Sequence, residues 1–198
     1  GTVIASIIGA APAEGDALVG VAPDAELLSI RQSSGMYVPA NPGGGDVDQD
    51  RRAGTVSTLA RAIVHAANAG ARVINLSVVA CIPTLKPVDQ TTLGAAVRYA
   101  ARDKDAVLIA AAGNTAKPAC AQTPGSAATG AADPRNWDQV VTVSTPAWFS
   151  DYVLAVSATD AAGQPAVDES GREISLAGPW VGVAAPGLFV EGVTEAGG

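Results

Sequence analysis

The chain has 198 residues, 48% apolar and 16% charged, enough for one domain with a substantial core. A formal charge of −7 with no cluster of Lys and Arg argues against nucleic acid as a partner. No apolar stretch reaches the roughly 18 residues of a membrane span, no signal peptide opens the chain, and Gly1 in place of an initiator Met reads as a processed or truncated piece.

Val3, Ile4, Ile7 and Ile8 recur at helical spacing and predict a first helix over 1–10. Pro23-Asp24 marks a turn, and the run Leu27 to Ile30 then reads as a buried strand. Residues 33–56 are rich in Gly, Pro and Asp and read as a surface loop insertion. Gly43 to Gly45 lack the Lys and Ser or Thr of a phosphate cradle, so they belong to that loop. Ser57 to Gly70 predicts a helix, capped by Ser57 and ended by Gly70. Arg72 to Ala80 predicts a strand, Thr91 to Lys104 a second capped helix, and Ala106 to Gly113 another strand. Residues 115–147 read as a second surface insertion, and Tyr152 to Thr159 and Trp180 to Pro186 as two further strands.

Helices and continuously apolar strands thus alternate. Strands of that kind are buried on both faces by helices, which predicts an α/β fold with three layers, helix, mostly parallel sheet and helix, in a single domain over 1–198. In such sheets ligands bind at the carboxyl ends of the strands. Two ends stand out: Asn75 to Cys81, and Ala110 to Asn114, where the strand closes on Gly113 and Asn114. The Asn114 carboxamide can donate a hydrogen bond where negative charge develops, as an oxyanion hole does. It can equally be a plain turn residue. The two cysteines, Cys81 and Cys120, and the one histidine cannot complete a zinc site. They are either two buried thiols or one disulfide. His65 falls inside a predicted helix and reads as a surface or partly packed residue. Ser126 falls in a loop without a paired base.

Five segments in order, GTVIASII, VGVAPDAEL, VINLS, VLIAAAGN and AAPG, resemble motifs of the subtilisin-like serine proteases. LLSIRQSS, VVAC, TPAWFSDYVLAV and LAGPWVGVAAPG resemble segments of one branch of them, the mycosins of type VII secretion systems. The resemblance implies a subtilisin-like fold, incomplete at both ends, and peptide-bond cleavage through an acyl-enzyme without a cofactor. Asn114 matches the family's oxyanion residue. Ser77, Val78 and Val79 would contact substrate on one side, with Ala112 and Gly113 on the other. Val79-Ala80 stands where a general subtilase has Gly-Gly, which implies a narrower pocket for small or slim side chains. Cys81 and Cys120 match a mycosin disulfide. The family's catalytic His precedes the Gly-Thr that matches Gly1-Thr2, and its Ser follows the APG that matches Ala185 to Gly187. The triad Asp, His and Ser therefore fall outside the chain, which is expected to be inactive alone. The implied partners are a peptide or protein substrate and type VII secretion components. The implied location is extracytoplasmic, with a membrane-associated parent.

Two other readings stand beside this one. A pseudo-protease or structural part of a secretion assembly would also lack the triad. A nucleotide-binding module would need a Gly-rich turn directly after a first strand. GAAPAEGD, from Gly9 to Asp16, follows a helix instead.

Overall fold

The computed structural model describes residues 2–15, 18–32, 47–116, 119–123 and 137–193, with 47–54 as backbone alone. The chain divides into two compact units, one of residues 1–30 and 189–198, the other of residues 31–188.

The smaller unit holds helix α1, Thr2–Gly9, as the apolar spacing predicts. The chain folds back onto its last turn: the N–H groups of Val21 and Ala22 donate to the carbonyls of Ile7 and Ile8 at 3.0 and 2.7 Å. The Val193 N–H donates to Ser6 Oγ at 2.9 Å, fastening the last described residues to the helix. Leu27 to Ile30 does not form the expected buried strand. It has no ladder partner among the described residues, and Leu27 and Leu28 are 46% and 55% exposed. An apolar run supplies the side chains of a buried strand, but the strand exists only where a neighbour takes its N–H and C=O groups.

The larger unit is an α/β structure with a largely parallel central sheet. Helix α2 covers Val47–Asn68, followed by β1, Val73–Leu76, and β2, Ala80–Pro83. Helix α3, Thr91–Arg98, continues as a π-helical turn over Tyr99–Asp103 and leads to β3, Val107–Ala111. Then come β4, Thr142–Thr145, β5, Val153–Thr159, and β6, Val181–Pro186. The main sheet has the order β1-β3-β5-β6, all parallel, and β2 pairs antiparallel with β4 in a second, two-stranded sheet.

The core lies between α2, α3 and the sheet. Leu59, Ile63, Leu93 and Val97 are at most 2% exposed, and Ile74, Leu76, Leu108 and Ala110 are buried in rows matched by the strand register. Burial alternates along β1 and β3. Val73, Val107, Leu154 and Val183 are each at least 41% exposed. Among the described residues of this unit, helices cover one sheet face.

Three boundaries and one cap differ from the sequence reading. Helix α2 begins at Val47, so residues 47–56 are helical rather than loop and Ser57 is interior, not a cap. The stretch VDQDRRAG carries no apolar stripe, so nothing in it signalled a helix. Gly70 does end α2: with φ 87°, it donates to Ala67 O while Ala71 donates to Ala66 O, a Schellman closure. The strand predicted over 72–80 splits, because residues 77–79 leave one sheet before β2 joins the other. Helix α3 starts at Thr91 without a side-chain cap from Gln90, whose Oε1 instead accepts from Thr145 Oγ1 and Trp148 Nε1. Finally, β4 lies inside the predicted surface insertion 115–147, with Thr142, Ser144 and Thr145 at most 2% exposed. The rest of that insertion and the Gly43 to Gly45 loop fall largely outside the described residues.

Between β5 and β6 the chain forms a narrow arm with bridges Thr159–Pro165 and Val167–Glu173. At its tip Asp168 Oδ1 accepts from Ser170 N, Ser170 Oγ and Arg172 N, which pulls the carboxyl from 3.8 down to about 2. A depressed carboxylate pKa means the tip is stabilised above pH 3.8 and loses that stabilisation as pH falls through about 2. An NMR titration of the Asp168 carboxyl carbon is expected to give a midpoint near 2; one at 3.8 would show the carboxylate free of the turn.

Candidate functional site

The register of β1 and β3 builds the site. Leu76 pairs with Ala110, so the two neighbouring parallel strands leave the sheet at the same edge. Beyond β1, Asn75 Nδ2 donates to Ser77 Oγ at 2.8 Å and holds the start of the 77–79 turn. Beyond β3, Gly113 takes φ 141°, a backbone that L side chains rarely adopt. A Cβ there would lie 2.5 Å from Leu176 Cβ and 3.0 Å from Ser144 Oγ, so glycine is required by space as well.

The arm described above closes the third side. Asn114 bridges antiparallel to Ser175, with Thr115 N–H donating to Ile174 O at 3.1 Å and Leu176 N–H to Gly113 O at 3.3 Å. The result is a cleft of about 270 Å³ lined by Ser77, Val79, Ala111, Gly113, Asn114, Ile174 and Ser175. Among the described residues that line it, none is charged.

Asn114 is exposed at this cleft, and its carboxamide has a defined orientation. Its Oδ1 accepts the Ala116 N–H at 2.9 Å, an Asx turn. The other end of the carboxamide is the NH₂ group. It can donate two hydrogen bonds and accept none.

Of the residues singled out in the sequence, Ser77, Val79, Gly113 and Asn114 line the cleft. Val78 is half-buried between two of them, and Ala112 is 1% exposed behind Gly113, so neither lines it. Cys81 and Cys120 are joined in a disulfide, with Cα atoms 5.2 Å apart. It ties the chain just past the 77–79 turn to the chain just past Asn114. His65 is exposed on α2 and is not a lining residue. Ser126 lies outside the described residues. Ile174 and Ser175 were missed. The alternation of charged or polar with apolar residues in Glu173-Ile174-Ser175-Leu176 was their one local signal, and the surrounding turn residues hid it. Among the described residues, no three of His, Cys, Asp and Glu gather in a way that could hold a metal.

A cleft at the carboxyl edge of a parallel sheet, with an asparagine among its lining residues, lies where α/β proteins bind their ligands. The chain belongs to the subtilase family, whose sequence model matches residues 1–196. It is 52% identical to mycosin-2 of Mycobacterium tuberculosis over 185 residues, 92% of this chain and 32% of that protein. It is 50% identical to mycosin-5 of the same organism over 181 residues, 90% of this chain and 30% of that protein. The chain thus spans about a third of the length of these curated relatives. Among solved structures it is similar to the MycP3 protease of the type VII (ESX-3) secretion system, with TM-score 0.87 and 47% identity. That match covers 100% of this chain and 52% of the other. A chain of the periplasmic assembly from the ESX-5 inner membrane complex matches with the same TM-score, 0.87, and 47% identity, over 98% of this chain and 50% of that one.

Two outcomes test this geometry. Gly113→Ala is expected to cost about 2–4 kcal/mol in urea unfolding, through backbone strain and overlap with Leu176. A loss below about 0.5 kcal/mol would show that the wall relaxes. Replacing Cys81 and Cys120 together by Ala opens a loop with a sequence separation of 39 residues. It is expected to lower stability by roughly 3–4 kcal/mol in the same measurement.

Proposed function

We propose that this chain forms the substrate cleft of a mycosin-like serine endopeptidase, in which Asn114 donates to the oxyanion of the tetrahedral intermediate. The observation that carries this is the carboxamide orientation. Oδ1 is held by the Ala116 N–H, which fixes the carboxamide at a cleft whose described lining residues are uncharged. A donor fixed in advance where charge develops costs no reorganisation during the reaction.

In the reaction, a Ser hydroxyl attacks the scissile carbonyl while a His takes its proton and later gives it to the leaving amine. Water then adds to the acyl-enzyme and frees the acid product. In each half Asn114 Nδ2 stabilises the same oxygen as it gains negative charge. The substrate runs as an extended strand, with Ser77 and Val79 on one side and Gly113 on the other. The Val79 side chain and the uncharged lining favour a small or slim uncharged residue before the cut. The triad Asp, His and Ser are supplied by sequence outside residues 1–198, and this chain alone does not hydrolyse peptide bonds. The likeness to the ESX-5 periplasmic assembly supports work outside the cytoplasm, in contact with type VII secretion machinery, for a parent protein held at the cell envelope.

The test uses a fluorophosphonate probe and a peptide substrate. The 198-residue chain is expected to remain unlabelled and the full-length protein to label at one Ser. In the full-length protein, Asn114→Ala is expected to lower kcat by about 10²–10³ with KM little changed, the loss found on removing the oxyanion asparagine of a subtilisin, a member of the same family. Labelling of the isolated chain, or an unchanged kcat in the variant, overturns the proposal.

A further inference from the structure

The β3–β5 ladder breaks at one rung, and the break is occupied by side chains. Ala112 N–H donates to Val156 O at 2.9 Å, continuing the parallel pairing. The next rung of a parallel ladder would run from Ala158 N–H to Ala112 O. It is not made. Ala158 N–H donates instead to Ser175 Oγ at 2.9 Å, and Ala112 O accepts from Trp180 Nε1 at 2.8 Å. Both halves of the missing rung are satisfied by residues 175–180, so the strands separate without leaving a buried polar group unpaired.

Trp180 is held rigidly for this task. It is 1% exposed, its ring fills the space above Gly178, and Val181 N–H closes the turn onto Gly178 O at 3.1 Å. Trp137 packs against it with ring centroids 6.0 Å apart. Its indole N–H therefore reaches the carbonyl two residues before Asn114, at the step where the chain turns through Gly113 into the cleft.

We infer that Trp180 is a positioning residue for the oxyanion donor: its N–H holds the Ala112 carbonyl away from β5 and so fixes where Gly113 and Asn114 emerge. The inference rests on the function proposed for Asn114. Without the indole N–H, the Ala112 carbonyl is left buried and unpaired, or recovers the Ala158 rung and draws Gly113 towards β5. Either outcome displaces the amide from its preset position while leaving the substrate walls at 77–79 in place.

The experiment is a double-mutant cycle on the full-length protein, with kcat and KM measured on one peptide substrate. Trp180→Phe is expected to lower kcat about tenfold with KM within about twofold, the scale of one neutral hydrogen bond. In an Asn114→Ala background the same change is expected to lower kcat less than about twofold, because Trp180 acts through Asn114. An equal fall in both backgrounds overturns the inference, since a purely structural role would persist. So does an unchanged kcat in Trp180→Phe. If Asn114→Ala alone leaves kcat intact, it is the proposed function that fails. Should the Phe variant not fold, β-(3-benzothienyl)alanine at position 180 keeps the ring shape and removes only the N–H, and the same outcomes apply.

Discussion

The alignment of Leu76 with Ala110 determines where the cleft is and what it contains. Parallel strands in register leave a sheet at a common edge, so a pair of neighbours brings two chain exits within side-chain reach of each other. Here one exit is the 77–79 turn and the other is Gly113-Asn114. A slip of one residue in this pairing would turn the buried side chains of the slipped strand outward. The packing of Ile74, Leu76, Leu108 and Ala110 in the core therefore also fixes the cleft. Core packing and site geometry are set by the same rows of side chains.

Around that edge, each potential weak point is closed by a different kind of bond. The disulfide spans the two exits. The arm bridges Asn114 to Ser175 through backbone pairing. Trp180 and Ser175 take up the groups released where β3 parts from β5. The Asx turn fixes the last free torsion, that of the Asn114 carboxamide.

Much of the parallel sheet could be read in advance, because β3, β5 and β6 are apolar runs ended by turn residues. Asn114 could be read as well, since a carboxamide directly after a buried strand is chemically conspicuous. The rest was hidden for specific reasons. Strand β4 is Thr-Val-Ser-Thr, and its polar side chains gave no sign that three of the four residues are buried. The first turns of α2 are charged and contain Gly54, so helical periodicity was absent from them. Leu27 to Ile30 shows the opposite failure, an apolar run that finds no neighbour to pair with among the described residues. The role of Trp180 depends on a hydrogen bond across 68 residues of sequence, which no local pattern encodes.

The Cys81–Cys120 bond also gives the chain a closed topology that matters when its backbone is cut. The loop it encloses carries α3, β3 and Asn114, and the most accessible large apolar side chain among its described residues is Leu85, 95% exposed at a turn. A single cut at that turn would open the backbone yet release nothing, because both new ends remain covalently joined through sulfur. Asn114 and its strand would stay tethered to the 77–79 wall. The crosslink thus protects the cleft against a nick by connectivity rather than by stability.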